Sequence, residues 1–234
     1  RKAYLEFYDV VAEKDSDSIE QAAKSASMYN ARTAAHTRAR QVISDVLTNE
    51  NLTPIEKSNL TTQLEKLEKT ETVGNVPFDG ILFLGNGEDT KALASFLRYY
   101  NVGARDAAFY GTTMWDGSDI ASDYTLSGAK YATLPQTNPE FIALYEQVSG
   151  TTPSRLASFG YDATNMAINM LYSNKSQSAY LLDPSGYIGT DGLFRLKPNG
   201  DNERALRIMQ LNGSGTPVEI RPAPRNFMIP LYNI

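Results

Sequence analysis

Residues 78–85 read Phe-Asp-Gly-Ile-Leu-Phe-Leu-Gly, and a helical pattern begins almost at once after them. A continuous apolar run closed by glycines suits a strand of a parallel sheet covered on both faces. The helical pattern that follows sets Leu93, Phe96, Leu97 and Tyr100 at i, i+3, i+4 and i+7. Glu88 and Asp89 stand at its start, where the helix dipole favours negative charge. The alternation then recurs. Residues 107–110 and 128–133 read as strands, and Asn138-Pro139 opens a helix with Phe141, Leu144, Tyr145 and Val148 on one face, stopped by Gly150. A second helix, from near Pro153, carries Leu156, Phe159, Ala163, Met166, Met170 and Leu171. Strands alternating with helices predict an α/β fold with a mainly parallel sheet flanked by helices.

The remaining segments are less regular. Tyr4, Phe7, Tyr8 and Val11 have helical spacing, residues 18–29 read as loosely strand-like, and the Ala, Arg and Gln content of 31–47 favours a helix. Thr53-Pro54-Ile55-Glu56 combines an N-cap, a proline in the first turn and a glutamate three residues after the cap, so a polar helix is expected from there to about Lys69. Towards the C-terminus, residues 192–196, a turn at 197–201 and residues 204–211 read as an antiparallel hairpin. The division expected is 1–137 as an α/β domain with a helical insertion near 53–70, 138–185 as helices, and 186–234 as hairpin and tail.

With 41% hydrophobic and 21% charged residues, the composition excludes disorder and collagen, and no apolar run approaches the roughly 20 residues of a membrane span. The net charge of −5 has the wrong sign for a protein that neutralises phosphates, so no nucleic acid is expected as partner. There is no cysteine and a single histidine, His36, read as a solvated surface residue. Thiolate chemistry is therefore excluded, and a Ser-His or multi-histidine site cannot be completed within the chain, so no metal and no cofactor are expected. Gly85-Asn86-Gly87 lies where a dinucleotide fingerprint would lie, but Thr90 replaces the third glycine and Glu88 and Asp89 crowd the amides a pyrophosphate needs. It reads as a plain strand-to-helix turn. Asp116, Asp119 and Asp123 form an acidic cluster whose glycine- and serine-rich setting favours a capped turn over an acid–base pair. Trp115 follows the strand at 107–110 through Gly-Thr-Thr-Met, at the carboxyl end where open α/β sheets place ligands. For its indole, ligand contact and core packing both remain open.

Three stretches together resemble a known family. They are the run 78–84; Tyr-Gly-Thr-Thr-Met-Trp at 110–115 leading to Leu-Ser-Gly-Ala at 126–129; and Phe141, Tyr145 and Pro153 ahead of Gly-Tyr-Asp-Ala at 160–163. These resemble type I periplasmic binding proteins, the leucine/isoleucine/valine-binding architecture of two α/β lobes around a hinged cleft. The tail, with Gly-Thr-Asp-Gly-Leu-Phe-Arg-Leu at 189–196, Asn199-Gly200, Asn202-Glu203-Arg204 and Pro222-Ala223-Pro224 before Phe227, resembles the penicillin-binding-protein activator, or LpoA-like, branch. The resemblance spans 75–230 well and 1–74 in outline. The first lobe has no counterpart here, so the sequence, which opens at Arg1 without Met, reads as a processed or partial chain.

What the resemblance implies is a non-catalytic protein of the bacterial envelope, periplasmic and lipid-anchored to the outer membrane through a segment ahead of Arg1. As an activator it would grip a penicillin-binding protein, with the polar helices between Ala31 and Lys69 as docking elements. As a solute receptor it would serve an ABC permease and bind an amino-acid-like ligand. The ligand residues would then include Thr112, Thr113, Trp115 and Asp116, with Asp116 facing an ammonium, and Tyr161 and Asp162 of the Tyr-Asp-Ala helix. Without a first lobe the stripe Leu156, Phe159, Met166, Met170 and Leu171 is expected to lack cover, so that the chain self-associates or belongs to a larger polypeptide.

Overall fold

The computed structural model describes residues 15–227, and the helical pattern expected over 1–12 lies outside them. The described chain divides into two compact units. One runs to Ala129 and includes Leu211–Thr216; the other takes Lys130–Gln210 and the chain from Pro217 onwards.

The first unit opens with α1 (Ser16–Ala26), where a loose strand was expected. Ile19, Ala22 and Ala23 are its buried residues, and i, i+3, i+4 is a helical spacing that a strand could not bury on one side. Asp15 caps it, accepting a hydrogen bond from the Asp17 N–H at 3.3 Å. Met28 takes a left-handed conformation at φ 51°, which ends the first helix and turns the chain into α2 (Tyr29–Leu47). The next helix, α3 (Pro54–Glu68), starts as its sequence requires: Thr53 and Glu56 form a reciprocal capping box. It packs on α2, and His36 is buried rather than solvated, its Nε2 lying 2.8 Å from the Leu67 carbonyl oxygen. The polar surroundings of His36 in sequence concealed this, because its neighbours on the helix face outwards while it faces α3. Arg32 ties the pair to the rest of the unit by donating to the carbonyls of Ser27, Gly74, Tyr100 and Asn101.

Strand β1 (Gly80–Leu82) pairs in parallel with β2 (Ala108–Gly111), Ile81 opposite Phe109, and α4 (Gly87–Tyr99) connects them. Phe83 is buried but Leu82 and Leu84 are exposed, so the run is covered on one face and not on both. Alternate residues of a strand point to opposite faces, and among the described residues only the face carrying Phe83 is buried, not both faces as the continuous apolar run led one to expect. Ala94 and Leu97 of α4 join Phe83, Phe109, Val102, Ile120 and Leu126 in the core. At the end of α4, Tyr100 donates its phenol hydrogen to Glu20 of α1 at 2.5 Å.

In the second unit β3 (Lys130–Thr133) is followed by α5 (Pro139–Ser149), capped by Asn138 and closed by Gly150 at φ 71°, as its sequence indicated. Then come α6 (Arg155–Leu171), capped by Ser154, and the short α7 (Gln177–Leu181). Strands β4 (Tyr187–Gly189), β5 (Gly192–Leu196) and β6 (Asn202–Arg204) form an antiparallel sheet. The expected hairpin is thus present over β5 and β6, but its second arm is shorter. After Ala205 the chain changes sheets, and β7 (Arg207–Gln210) pairs antiparallel with β3 and with β8 (Val218–Arg221). Among the described residues no helix is long and apolar enough to cross a membrane.

Two outcomes follow from this packing. A methyl group at Gly111 would overlap the Trp115 indole, so Gly111→Ala is expected to lower stability by about 1–3 kcal/mol in chemical denaturation, the usual cost of overpacking. Tyr100, held neutral first by its bond to Glu20 and then by burial, has its pKa raised from 10.0 to about 12. A raised pKa means the contribution is fully present below pH 10 and is lost as the phenol ionises towards pH 12. Ultraviolet titration should show a late-ionising tyrosine that Tyr100→Phe removes.

Candidate functional site

The carboxyl ends of the parallel strands β1 and β2 are the first place to look for a site, since both chain exits there lead into loops on the same edge. After β1, Asn86 caps α4: its Oδ1 accepts the Asp89 N–H at 3.0 Å, its amide donates to Asp89 Oδ2 at 2.9 Å, and its carbonyl takes the Thr90 hydroxyl at 2.6 Å. This end of the helix is already supplied with negative charge, which is poor chemistry for holding a phosphate. The loop after β2 lies against it. Gly87 is close to Ser118, and Lys91 donates to Asp119 at 2.7 Å, a bond that lowers the carboxyl pKa and raises that of the ammonium.

Four expected ligand residues sit in that loop, and they divide into inside and outside. Trp115 is 1% exposed, laid over Gly111 and 6.0 Å from the Phe83 ring, so its indole is core. Thr112 uses its hydroxyl oxygen to accept the Met114 N–H at 3.3 Å, capping a 3₁₀ turn. Thr113 is exposed and Asp116 half-buried, beside the exposed Met114. Of the acidic cluster, Asp119 is held by Lys91, and Asp123 accepts the Thr125 N–H and hydroxyl at 2.8 and 2.6 Å, which is the capped-turn arrangement. Among the described residues no three histidines or carboxylates gather as a metal site.

The other two expected residues lie in the second unit. Tyr161 packs its ring 4.9 Å from Phe141 and remains partly exposed. Asp162 is 6% exposed and accepts the Thr190 N–H at 2.8 Å, with Gly189 so close that any side chain there would collide with the carboxylate. Its neighbour in space, Asp191, has a fully buried side chain and collects the Thr137 hydroxyl at 2.6 Å, Arg155 Nη1 at 3.1 Å and the Ser158 hydroxyl. Arg204 lies against the Phe159 and Phe194 rings at 4.2 and 5.0 Å; burial pulls its pKa down, and the charges of Asp162 and Asp191 oppose that. Thus the Tyr-Asp-Ala and Gly-Thr-Asp-Gly segments, separate in sequence, form one polar core joining α6 to the β4–β5 turn. Sequence reasoning missed Asp191, Arg155 and Ser158. Their only signal was a buried-type aspartate between two glycines.

The second unit also holds a groove of about 530 Å³ bounded by Pro135, Ile188, Leu193 and residues 222–225. The Arg207–Glu219 ion pair, 3.6 Å apart, lines it. Its walls are mostly apolar, and besides the Arg207–Glu219 pair Arg225 brings a further positive charge to its rim.

Asp191→Ala removes the acceptor on which three donors converge and is expected to cost about 3 kcal/mol or more in urea denaturation. Asp162→Asn, which keeps an oxygen for the Thr190 N–H, should cost less. An Asp191→Ala loss within the noise of a surface substitution would contradict this assignment.

No protein-family model matches the sequence and no curated protein matches it. In structure the chain is similar to full-length LpoA from Haemophilus influenzae, at 14% identity and TM-score 0.44 over 80% of this chain and 39% of that one. It is similar also to the C-domain of Haemophilus influenzae LpoA, a regulator of PBP1A, at 16% identity and TM-score 0.43, covering 80% of this chain and 65% of that one. The leucine-binding protein LivK of Thermotoga maritima is similar at 15% identity and TM-score 0.40, covering 70% and 55%. The chain therefore spans from about two-fifths to just under two-thirds of the length of these proteins.

Proposed function

We propose that this chain is part of a non-catalytic, periplasmic ligand-binding-type protein of the bacterial envelope that acts as an LpoA-like activator of a peptidoglycan synthase. The observation that carries the choice is the fate of Trp115 and Asp162. These are the two expected ligand residues with the strongest binding chemistry, and both are buried in the fold, one under Phe83 and Gly111, the other with one carboxylate oxygen on the Thr190 N–H. A receptor for a small solute needs a concave site with a few unengaged polar groups converging on it. A protein that works by gripping another protein does not. The tail segments at 189–196 and 222–224, which resemble the activator branch in sequence, support the same reading. In this reading the protein is anchored to the outer membrane by lipid, its partner is a penicillin-binding protein, and the α2–α3 pair, with Ile55 and Val42 exposed, is a docking element.

The second reading, a solute receptor of an ABC importer for amino-acid-like ligands, keeps support from Thr113 and Asp116, which remain accessible at the carboxyl end of β2. Calorimetry on the full-length protein with amino acids and peptidoglycan fragments separates the two. The activator reading expects no heat from any solute, together with capture of a penicillin-binding protein and faster glycan synthesis. Micromolar binding of a solute, roughly −8 kcal/mol, lost in Asp116→Ala, would decide for the receptor.

A further inference from the structure

Asparagine followed by glycine occurs three times, at 86–87, 199–200 and 212–213. In such a pair the glycine nitrogen stands beside the asparagine side-chain carbonyl carbon with no Cβ in the way, so attack within the chain is favoured by proximity. Three groups govern it: the glycine N–H, which gives up its proton, the side-chain Nδ2, which leaves, and Oδ1, which takes the developing negative charge. The fold treats the three pairs differently.

Asn86 caps α4, and Gly87 is buried as the first residue of that helix. The Asn86 Nδ2 donates to Asp89 Oδ2 at 2.9 Å. Asn199 is exposed, but the Gly200 N–H is taken by the Lys197 carbonyl at 3.0 Å and the Asn199 Nδ2 by Asp201 Oδ2 at 2.7 Å. A carboxylate accepting from Nδ2 pushes electron density into the amide and sets a like charge beside the oxyanion that must form, so both pairs are held back.

Asn212 has none of these restraints. It is exposed, and neither its Nδ2 nor the Gly213 N–H has a partner among the described residues. Its Oδ1 accepts twice from Ser214, from the N–H at 3.0 Å and from the hydroxyl at 2.6 Å. Two donors on one carbonyl oxygen draw electron density from Cγ and lie where the oxyanion forms, the arrangement that stabilises tetrahedral intermediates of acyl transfer.

We propose that Asn212 is a site of spontaneous modification, at which the chain converts its own asparagine into aspartate and isoaspartate. The Gly213 nitrogen loses its proton to hydroxide and bonds to Asn212 Cγ, and the charge passes to Oδ1 under the two Ser214 donors. The Cγ–Nδ2 bond then breaks, and Nδ2 takes a proton from water and leaves as ammonia, closing a succinimide ring. Water opens the ring at either carbonyl. Water enters and ammonia departs, with no change of oxidation state. The consequence is local: Leu211 exchanges hydrogen bonds with Gly128 and Ala129 at 2.7 and 2.9 Å, and the Gly215 N–H donates to the Ala121 carbonyl at 3.2 Å. Isoaspartate lengthens the backbone by a methylene between these anchors and adds a charge, which loosens 211–216 from the first unit. The inference is independent of the activator reading.

The test is incubation of the 234-residue chain at mildly alkaline pH, with peptide mapping by mass spectrometry to follow the mass gain of each amide turned acid. In the folded chain Asn212 should convert about tenfold or more faster than Asn86 and Asn199, a barrier difference of about 1.4 kcal/mol. In urea, where the fixed donors and acceptors are gone, the rates at all three should converge. Ser214→Ala should slow Asn212 in the folded chain by about threefold or more, as loss of one of two oxyanion donors requires. It should leave the thermal midpoint and the rate in urea unmoved, and Ser214→Thr should restore the rate. In aged protein the Leu211 and Gly215 amides should exchange hydrogen faster. Equal rates at all three sites in the folded chain, faster conversion at Asn86 or Asn199, or a rate unchanged by Ser214→Ala overturns the proposal.

Discussion

The Asp191 carboxylate is the interaction on which the second unit depends. Its side chain is wholly buried, and three donors from two separate segments, Thr137 before α5 and Arg155 and Ser158 on α6, converge on it from outside the strand pair that carries it. A buried charge is costly unless paired and hydrogen-bonded, and here both conditions are met. The same turn is fixed a second time by Asp162 on the Thr190 N–H and by the Asn138 N–H donating to the Thr190 carbonyl at 2.8 Å. This unit buries few large apolar side chains, among them Tyr131, Phe141, Leu193 and Phe194, so directional polar contacts define its geometry more than a broad core does. The inward-facing Ser158 and Asp162 of α6 are a consequence, since their partners lie in the β4–β5 turn.

The first unit is organised differently. Its core is a conventional apolar one, in which Leu97, Val102, Ile120 and Leu126 are almost wholly buried with Trp115. The loops after β1 and β2 are held by that core and by local caps, with Asn86, Thr112 and Asp123 each accepting a backbone N–H nearby. Loops so closely engaged with themselves leave few free groups at the strand ends. The proposal of a protein partner rather than a small solute rests on this.

What was legible before the structure was chiefly local. The Thr53–Glu56 capping box, the Asn138 cap with Pro139, and the left-handed Gly150 all work within a few residues of chain, so a short stretch of sequence contains every group involved. The candidate site was less legible. Trp115 was rightly placed at the end of β2, but whether its ring turned towards a ligand or the core depended on Phe83, more than thirty residues away. His36 read as exposed because its sequence neighbours are polar, whereas its own side faces the Leu67 carbonyl. Residues 18–29 read as loosely strand-like because small residues hid a helical spacing that only the burial of α1 against α4 makes plain.

The sequence by itself determined the α/β alternation, the capped starts of α3 and α5 with the stop of α5 at Gly150, and the exclusion of thiol chemistry, because these rest on periodicity, on backbone geometry within one turn, and on which side chains exist at all. Tertiary structure alone decided that Asp162 and Trp115 lie in the interior, that Asp191 is the centre of a polar core, and that Leu156 and Leu171 of α6 are exposed while its Ser158 and Asp162 are buried. A side chain's role is set by what stands opposite it, and what stands opposite comes from elsewhere in the chain.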